Sequence, residues 1–207
     1  MKKIIFLSAL LIASLAFLNM TIETDRANAV VGERAPDFQV ADAYGNVHSL
    51  SDFEGKYVIL EWLNHDCPFV RKHYDGNNMQ ELQKKYTEQG VIWLSVISSV
   101  PGTQGHLQPE EAQTITKEKG ASPTAVLLDV DGTMGHAYDA RVTPHMYIIN
   151  PEGILEYNGA IDDKPTARPR DLEGAHNYVT AAMTSLMNGQ DVAVRTNTPY
   201  GCTVKYE

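Results

Sequence analysis

The stretch YVILEWLNHDCPFVRKHY, Tyr57–Tyr74, decides how the chain folds. Its first part, Tyr57–Leu63, is apolar at both alternating sets of positions except at Glu61. A run of that kind is a central strand buried on both faces, with helices covering each side. Asn64–Asp66 then turn the chain into Cys67-Pro68. Proline suits the first helical position, where its missing N–H is not needed and its φ is already helical. The spacing therefore predicts a helix opening at Pro68 with Cys67 as its N-cap. That helix pauses at Asp75-Gly76-Asn77-Asn78 and resumes to Gln89, with Gly90 as its stop.

Beyond this stretch, strands and helices alternate. Val91–Ser98 reads as a second buried strand, Pro109 opens a helix closed by Gly120, and Thr124–Leu128 is a third strand. A short helix over Met134–Asp139 precedes Thr143-Pro144 and a strand at His145–Ile149. Pro151-Glu152-Gly153 turns into a strand over Ile154–Asn158, and a last helix spans Ala175–Met187. Asp162-Asp163-Lys164-Pro165 reads as a turn with solvated carboxylates, with a border of the active site as the alternative. The fold class is α/β, a mixed central sheet flanked by helices.

The chain begins with Lys2 and Lys3, followed by the uncharged run Ile4–Leu18 and the small residues Ala27-Asn28-Ala29. This is the layout of a secretory signal cleaved after Ala29, and the apolar run is short for a membrane span. The expected division is a leader at residues 1–29, one domain at residues 30–189 and a tail at residues 190–207. Export to the periplasm or the extracellular space follows, with no stable membrane association once the leader is removed. A retained leader would make the protein membrane-anchored. The 207 residues carry 17 basic and 26 acidic side chains, a formal net charge of −9. That balance argues against a nucleic-acid partner.

Cys67 and Cys202 are the only cysteines. In an exported protein two cysteines commonly pair, either as an inert staple or as a redox-active couple. A thiol at a helix start faces unpaired backbone N–H groups and the positive end of the helix dipole, and both favour the nucleophilic thiolate. Arg71, one turn along, is placed to pair with a thiolate or an anionic intermediate, while Lys72 reads as part of a solvated face. Asp66 opposes the thiolate. Glu61, if buried, is a protonatable carboxyl near the thiol; the bare sequence leans towards a strand-edge glutamate that reaches water. His65 and His73 flank Cys67, yet no spacing typical of a zinc site is present, and neither a metal nor a cofactor is expected.

GERAPDFQVADAYGNVHSLSDFEGKYVILEW, Gly32–Trp62, resembles the opening of the redoxin family, which groups alkyl-hydroperoxide-reductase/thiol-specific-antioxidant proteins with thioredoxin-like proteins. Gly32, Ala35, Pro36, Asp37, Phe38, Gly45, Leu50, Gly55 and Lys56 carry the likeness, which continues through Cys67-Pro68, Asp131-Gly132, Thr143-Pro144 and Asn150-Pro151-Glu152-Gly153. The resemblance implies a thioredoxin-like fold, Cys67 as the attacking thiol, Pro144 as a cis-proline lying against it after Thr143, and Glu61 as a buried carboxylate. Two departures stand out. Val70 occupies the second place of a Cys-x-x-Cys motif. Leu60 and Asn64 occupy the places of Pro and Thr in the peroxiredoxin Pro-x-x-x-Thr-x-x-Cys motif. Arg141 falls near a second peroxiredoxin arginine. The ending PYGCTVKY resembles exported redoxins with one helix-start cysteine and one tail cysteine.

The resemblance thus implies a thiol-dependent oxidoreductase of antioxidant type. Cys67 attacks a peroxide or a disulfide, Cys202 resolves the product, and an exported thiol reductant reopens the bond. The alternatives are disulfide exchange without peroxidase activity, a copper-handling binder using Cys67, Cys202 and His65 or His145, and a Cys67–Cys202 staple.

Overall fold

A computed structural model describes residues 28–206. Most of the expected leader therefore lies outside the described residues. At its end, the Ala29 N–H donates to the Ala137 carbonyl at 3.0 Å.

Strand β3 (Val58–Trp62) is buried at every position and lies at the centre of a five-stranded sheet. It runs parallel to β4 (Ile92–Ile97) and antiparallel to β7 (His145–Ile149). Strand β5 (Ala125–Leu128) extends the sheet beyond β4 in parallel, and β8 (Leu155–Gly159) extends it beyond β7 antiparallel, giving the order β5-β4-β3-β7-β8. Parallel neighbours need long crossovers. Helices α1 (Pro68–Asp75) and α2 (Asn78–Thr87) supply the first and α3 (Pro109–Glu118) the second.

Side chains alternate across β3, so it contributes to two cores. Ile59 belongs to the core beneath α1, α2, α3 and α5 (Tyr178–Met187). Val58, Leu60 and Trp62 belong to the other. This second face departs from the expectation of helices on both sides. It is covered by the N-terminal segment with β1 (Gln39–Ala41), β2 (Val47–Ser49) and a 3-10 turn at Leu50–Phe53, together with the short helix α4 (Thr133–Ala137). Ala35, Phe38, Val40 and Leu50 supply the apolar surface there, in a segment whose turn residues hid its packing role.

Helix α5 begins three residues later than the sequence suggested, because Asn177 caps it by accepting from the Thr180 N–H at 2.8 Å. The tail packs on the domain rather than trailing from it. Val192 and Val204 are buried, one in each core. A last strand β9 (Cys202–Thr203) pairs antiparallel with β6 (Val142–Thr143), placing Cys202 opposite Thr143.

Candidate active site

Pro68 occupies the first position of α1 and Cys67 is its N-cap, in extended backbone at φ −70° and ψ 123°. The turn before it is built by Asn64. Its carbonyl accepts from the Cys67 N–H at 3.0 Å, and its Oδ1 accepts from the Asp66 N–H at 2.9 Å. Asn64 is buried beneath the loop at Gly105, where any Cβ would strike its amide. Asn64 thus shapes the turn, and its side chain makes no hydrogen bond to the thiol.

Cys67 has no exposed surface. Its sulfur does not cap the helix, as the sequence led one to expect. It turns instead toward two groups from distant parts of the chain. The thiol donates to the Thr143 carbonyl at 3.1 Å, and the Cys202 N–H donates to Sγ at 3.3 Å. The Thr143–Pro144 peptide bond is cis. Both cysteines are unpaired thiols here. Cys202 is half-buried, and its thiol is pushed up to about 12, first by burial and then by the neighbouring Cys67 sulfur, against a small opposing effect of Lys205. A thiol held protonated is a poor nucleophile until it gives up its proton.

Glu61 is fully buried, as the family resemblance implied and against the bare residue reading of a carboxylate reaching water. Four donors surround it: Tyr74 Oη at 2.8 Å on Oε1, and Trp93 Nε1 at 2.8 Å, Ser95 Oγ at 2.9 Å and Gln83 Nε2 at 3.1 Å on Oε2. Burial raises its pKa above the ordinary value, while the bonds from Trp93, Tyr74, Ser95 and Gln83 hold it back. None of its hydrogen bonds goes to Cys67.

Of the three cations near the site, Arg71 and Lys72 reverse their expected places. Arg71 is exposed, and among the described residues its side chain makes no ion pair or hydrogen bond. Arg141 is exposed just before β6 and pairs with Asp139. Lys72, expected in solvent, is buried: its Nζ lies 2.9 Å from Asp162 Oδ2. Asp162, expected as a solvated turn carboxylate, is buried with it. The α1 helix turns this flank, with Val70, His73 and Tyr74, onto the domain. Lys72, Asp162, Tyr200 and Gly201 are the residues sequence reasoning missed. Only the glycine before Cys202 carried a local signal.

Among the described residues no three His, Cys, Asp or Glu side chains gather as a metal site. The two histidines proposed for copper are otherwise engaged. Both ring nitrogens of His145 are bonded, to Asn158 Oδ1 at 2.7 Å and Tyr147 Oη at 3.0 Å. His65 packs edge-on against Tyr74.

A thiol at a helix start, set against the carbonyl before a cis-proline and met by a second thiol, defines a thiol-dependent oxidoreductase of the thioredoxin-like fold. The chain belongs to the AhpC/TSA family, whose model matches residues 31–158. It is 26% identical over 159 residues to the thiol-disulfide oxidoreductase ResA of Geobacillus kaustophilus, covering 75% of this chain and 86% of that one. It is 34% identical over 98 residues to a probable phospholipid hydroperoxide glutathione peroxidase of Nicotiana tabacum, covering 46% of this chain and 57% of the other. The crystal structure of an uncharacterized conserved protein from Geobacillus kaustophilus superposes with a TM-score of 0.75 at 26% identity, covering 86% of this chain and 93% of that one.

Proposed function

We propose that the protein is an exported thiol–disulfide exchange enzyme in which Cys67 and Cys202 form the working couple. One observation carries this reading: the backbone N–H of the tail cysteine touches the sulfur of the helix-start cysteine. In the reducing direction, the Cys67 thiolate attacks a substrate disulfide, forming a mixed disulfide and releasing one substrate thiolate. Cys202 then loses its proton and attacks the Cys67 sulfur. The bond from Cys67 to the substrate breaks, the second substrate thiolate leaves, and the Cys67–Cys202 disulfide forms. The state of Cys202 suits this order. Its thiol, held protonated chiefly by burial, attacks only after it gives up its proton, which puts it second. A thiol reductant in the same compartment reopens the bond.

Disulfides are favoured over peroxide because the polar partners of the Cys67 sulfur are a carbonyl and a backbone N–H. Arg71 makes no hydrogen bond to the sulfur, Arg141 pairs with Asp139, and Asn64 is spent on the turn. A departing peroxide oxygen gains most from preorganised donors aimed at it. The basic, apolar N-terminal segment supports export.

The test is to mix reduced protein with a small peptide disulfide, and separately with hydrogen peroxide, following Cys67–Cys202 formation by mass spectrometry. Rapid oxidation by the disulfide, slow oxidation by peroxide and neither in Cys67→Ser is the expected result. Opening of the peptide disulfide no faster than by Cys67→Ser would overturn the reading.

A further inference from the structure

Resting on that reading, we propose that Lys72, Asp162 and Tyr200 are positioning residues for the resolving step: they clamp the tail so that Cys202 stands on Cys67. Tyr200 lies two residues before Cys202. Its hydroxyl donates to Asp162 Oδ1 and accepts from Lys72 Nζ at 3.1 Å, with His73 Nε2 at 3.4 Å. Its ring meets Phe69 edge-on at 5.8 Å between centroids, and the Lys72 ammonium lies 5.3 Å from its centroid.

The clamp is buried and its cation is saturated. The Lys72 and Asp162 side chains are 0% and 1% exposed. Nζ reaches both Asp162 oxygens, at 2.9 and 3.2 Å, the Lys164 carbonyl at 2.7 Å and the Tyr200 hydroxyl. Removing two charges from water is costly, and a well-packed apolar pair often stabilises a fold as well or better. What an apolar pair lacks is a directional contact that fixes a hydroxyl, and with it a chain segment, in one place.

That place matters because α1 carries both ends of the arrangement. Cys67 occupies the N-cap position of the helix; Phe69, Lys72 and His73 lie on the flank that receives Tyr200. Fixing Tyr200 to this helix fixes the start of a two-residue reach to the thiol. Gly201 completes the reach. A Cβ there would overlap the Thr143 carbonyl oxygen, so only glycine lets the tail pass this close to the residue before Pro144. Beyond it, the pairing of Cys202 with Thr143 finishes the seating. The clamp takes no proton or electron in the exchange. It raises the effective concentration of the Cys202 sulfur at the Cys67 sulfur when the bond to the substrate breaks and the internal bond forms.

The experiment is a redox titration of the full mature chain in glutathione buffers, giving the effective concentration of the Cys67–Cys202 couple. The variants are Tyr200→Phe, which keeps the ring and loses one hydroxyl, and Tyr57→Phe as a control. The Tyr57 hydroxyl bonds the Leu186 carbonyl at 3.1 Å, away from the tail. The expected result is a fall of at least tenfold for Tyr200→Phe with a glutathione adduct accumulating on Cys67, and no change for Tyr57→Phe. A loss of general stability would not by itself produce that adduct. A value for Tyr200→Phe within twofold of the parent would overturn the clamp and leave the exchange reading intact. A parent protein that forms no internal disulfide would overturn both.

Discussion

The carbonyl of Thr143 and the backbone N–H of Cys202 approach the Cys67 sulfur from the two strands of one small sheet, at 3.1 and 3.3 Å. The strand before the cis-proline and the tail strand thus form a single cover over the thiol. A disulfide needs sulfurs about 2.05 Å apart. With a backbone atom already in contact, closure calls for side-chain rotation and small adjustments rather than migration of the tail. Oxidising the reduced protein is therefore expected to consume both thiols within one chain and leave the far-ultraviolet circular dichroism unchanged. Thiol counting and non-reducing mass spectrometry check it. A disulfide-linked dimer as the main product would contradict the geometry.

Access to the covered thiol depends on Gly201. Its φ is +152° and the space beside its Cα is filled by the Thr143 carbonyl. Replacing it with alanine forces the tail outward. Gly201→Ala is expected to raise the rate of Cys67 alkylation by iodoacetamide at least tenfold at fixed pH, because the parent thiol has no exposed surface. Stability should fall by only about 1–3 kcal/mol, the range for strain at one special backbone position. Peptide-resolved alkylation kinetics and urea unfolding measure the two effects separately.

The Lys72–Asp162 pair has its own signature. Lys72→Met leaves a buried carboxylate without its cation, which costs about 3–5 kcal/mol. Adding Asp162→Leu removes the stranded charge, so the double variant should recover most of that loss while the tail remains unclamped. A double variant as unstable as Lys72→Met would show that the pair contributes through packing alone. Urea midpoints at pH 7 decide the matter.

What was legible before the structure follows a physical line. The strand at Val58–Trp62, the helix opening at Pro68 and the alternation of strands with helices rest on periodicity and backbone chemistry, which are local. Lys72 and Asp162, and Glu61 when read without the family resemblance, elude the sequence for a shared reason. Each is a charged residue whose cost of burial is met by partners far along the chain: Trp93 and Ser95 for Glu61, Asp162 and Tyr200 for Lys72. No spacing within a helix or strand reveals such partners. Thr143 and Cys202 meet the Cys67 sulfur only once the tail has packed, so spacing alone does not put them there, whereas the family resemblance does, through Pro144 and the tail cysteine.

Three buried histidines set the acid behaviour of the fold. His65, His73 and His145 are each pushed down to about 4, in every case chiefly by burial. Lys119 adds to the effect at His65 while Asp66 opposes it; Asp162 opposes it at His73, where Lys72 adds; the bond to Asn158 opposes it at His145. In the unfolded chain these rings titrate near pH 6.5. Between those values the unfolded state binds protons that the folded state refuses, so acid favours unfolding. Stability is therefore complete above about pH 6.5 and is lost as the pH falls toward about 4. With three rings acting together the steepest slope approaches about 4 kcal/mol per pH unit. Glu61 and Asp129, both raised chiefly by burial, pull the other way in the lower part of this window, because folding helps them keep a proton. Asp42, held down to about 2 by its bonds from His48, Asn46 and Tyr44 against the opposing effect of burial, adds its own loss below about pH 4. Urea unfolding from pH 7.5 to 4.5 should show a steady fall in stability. His65→Gln, which cannot titrate, should remove about a third of the slope. A profile flat from pH 6.5 to 4.5 would mean that the rings are not held neutral in the fold.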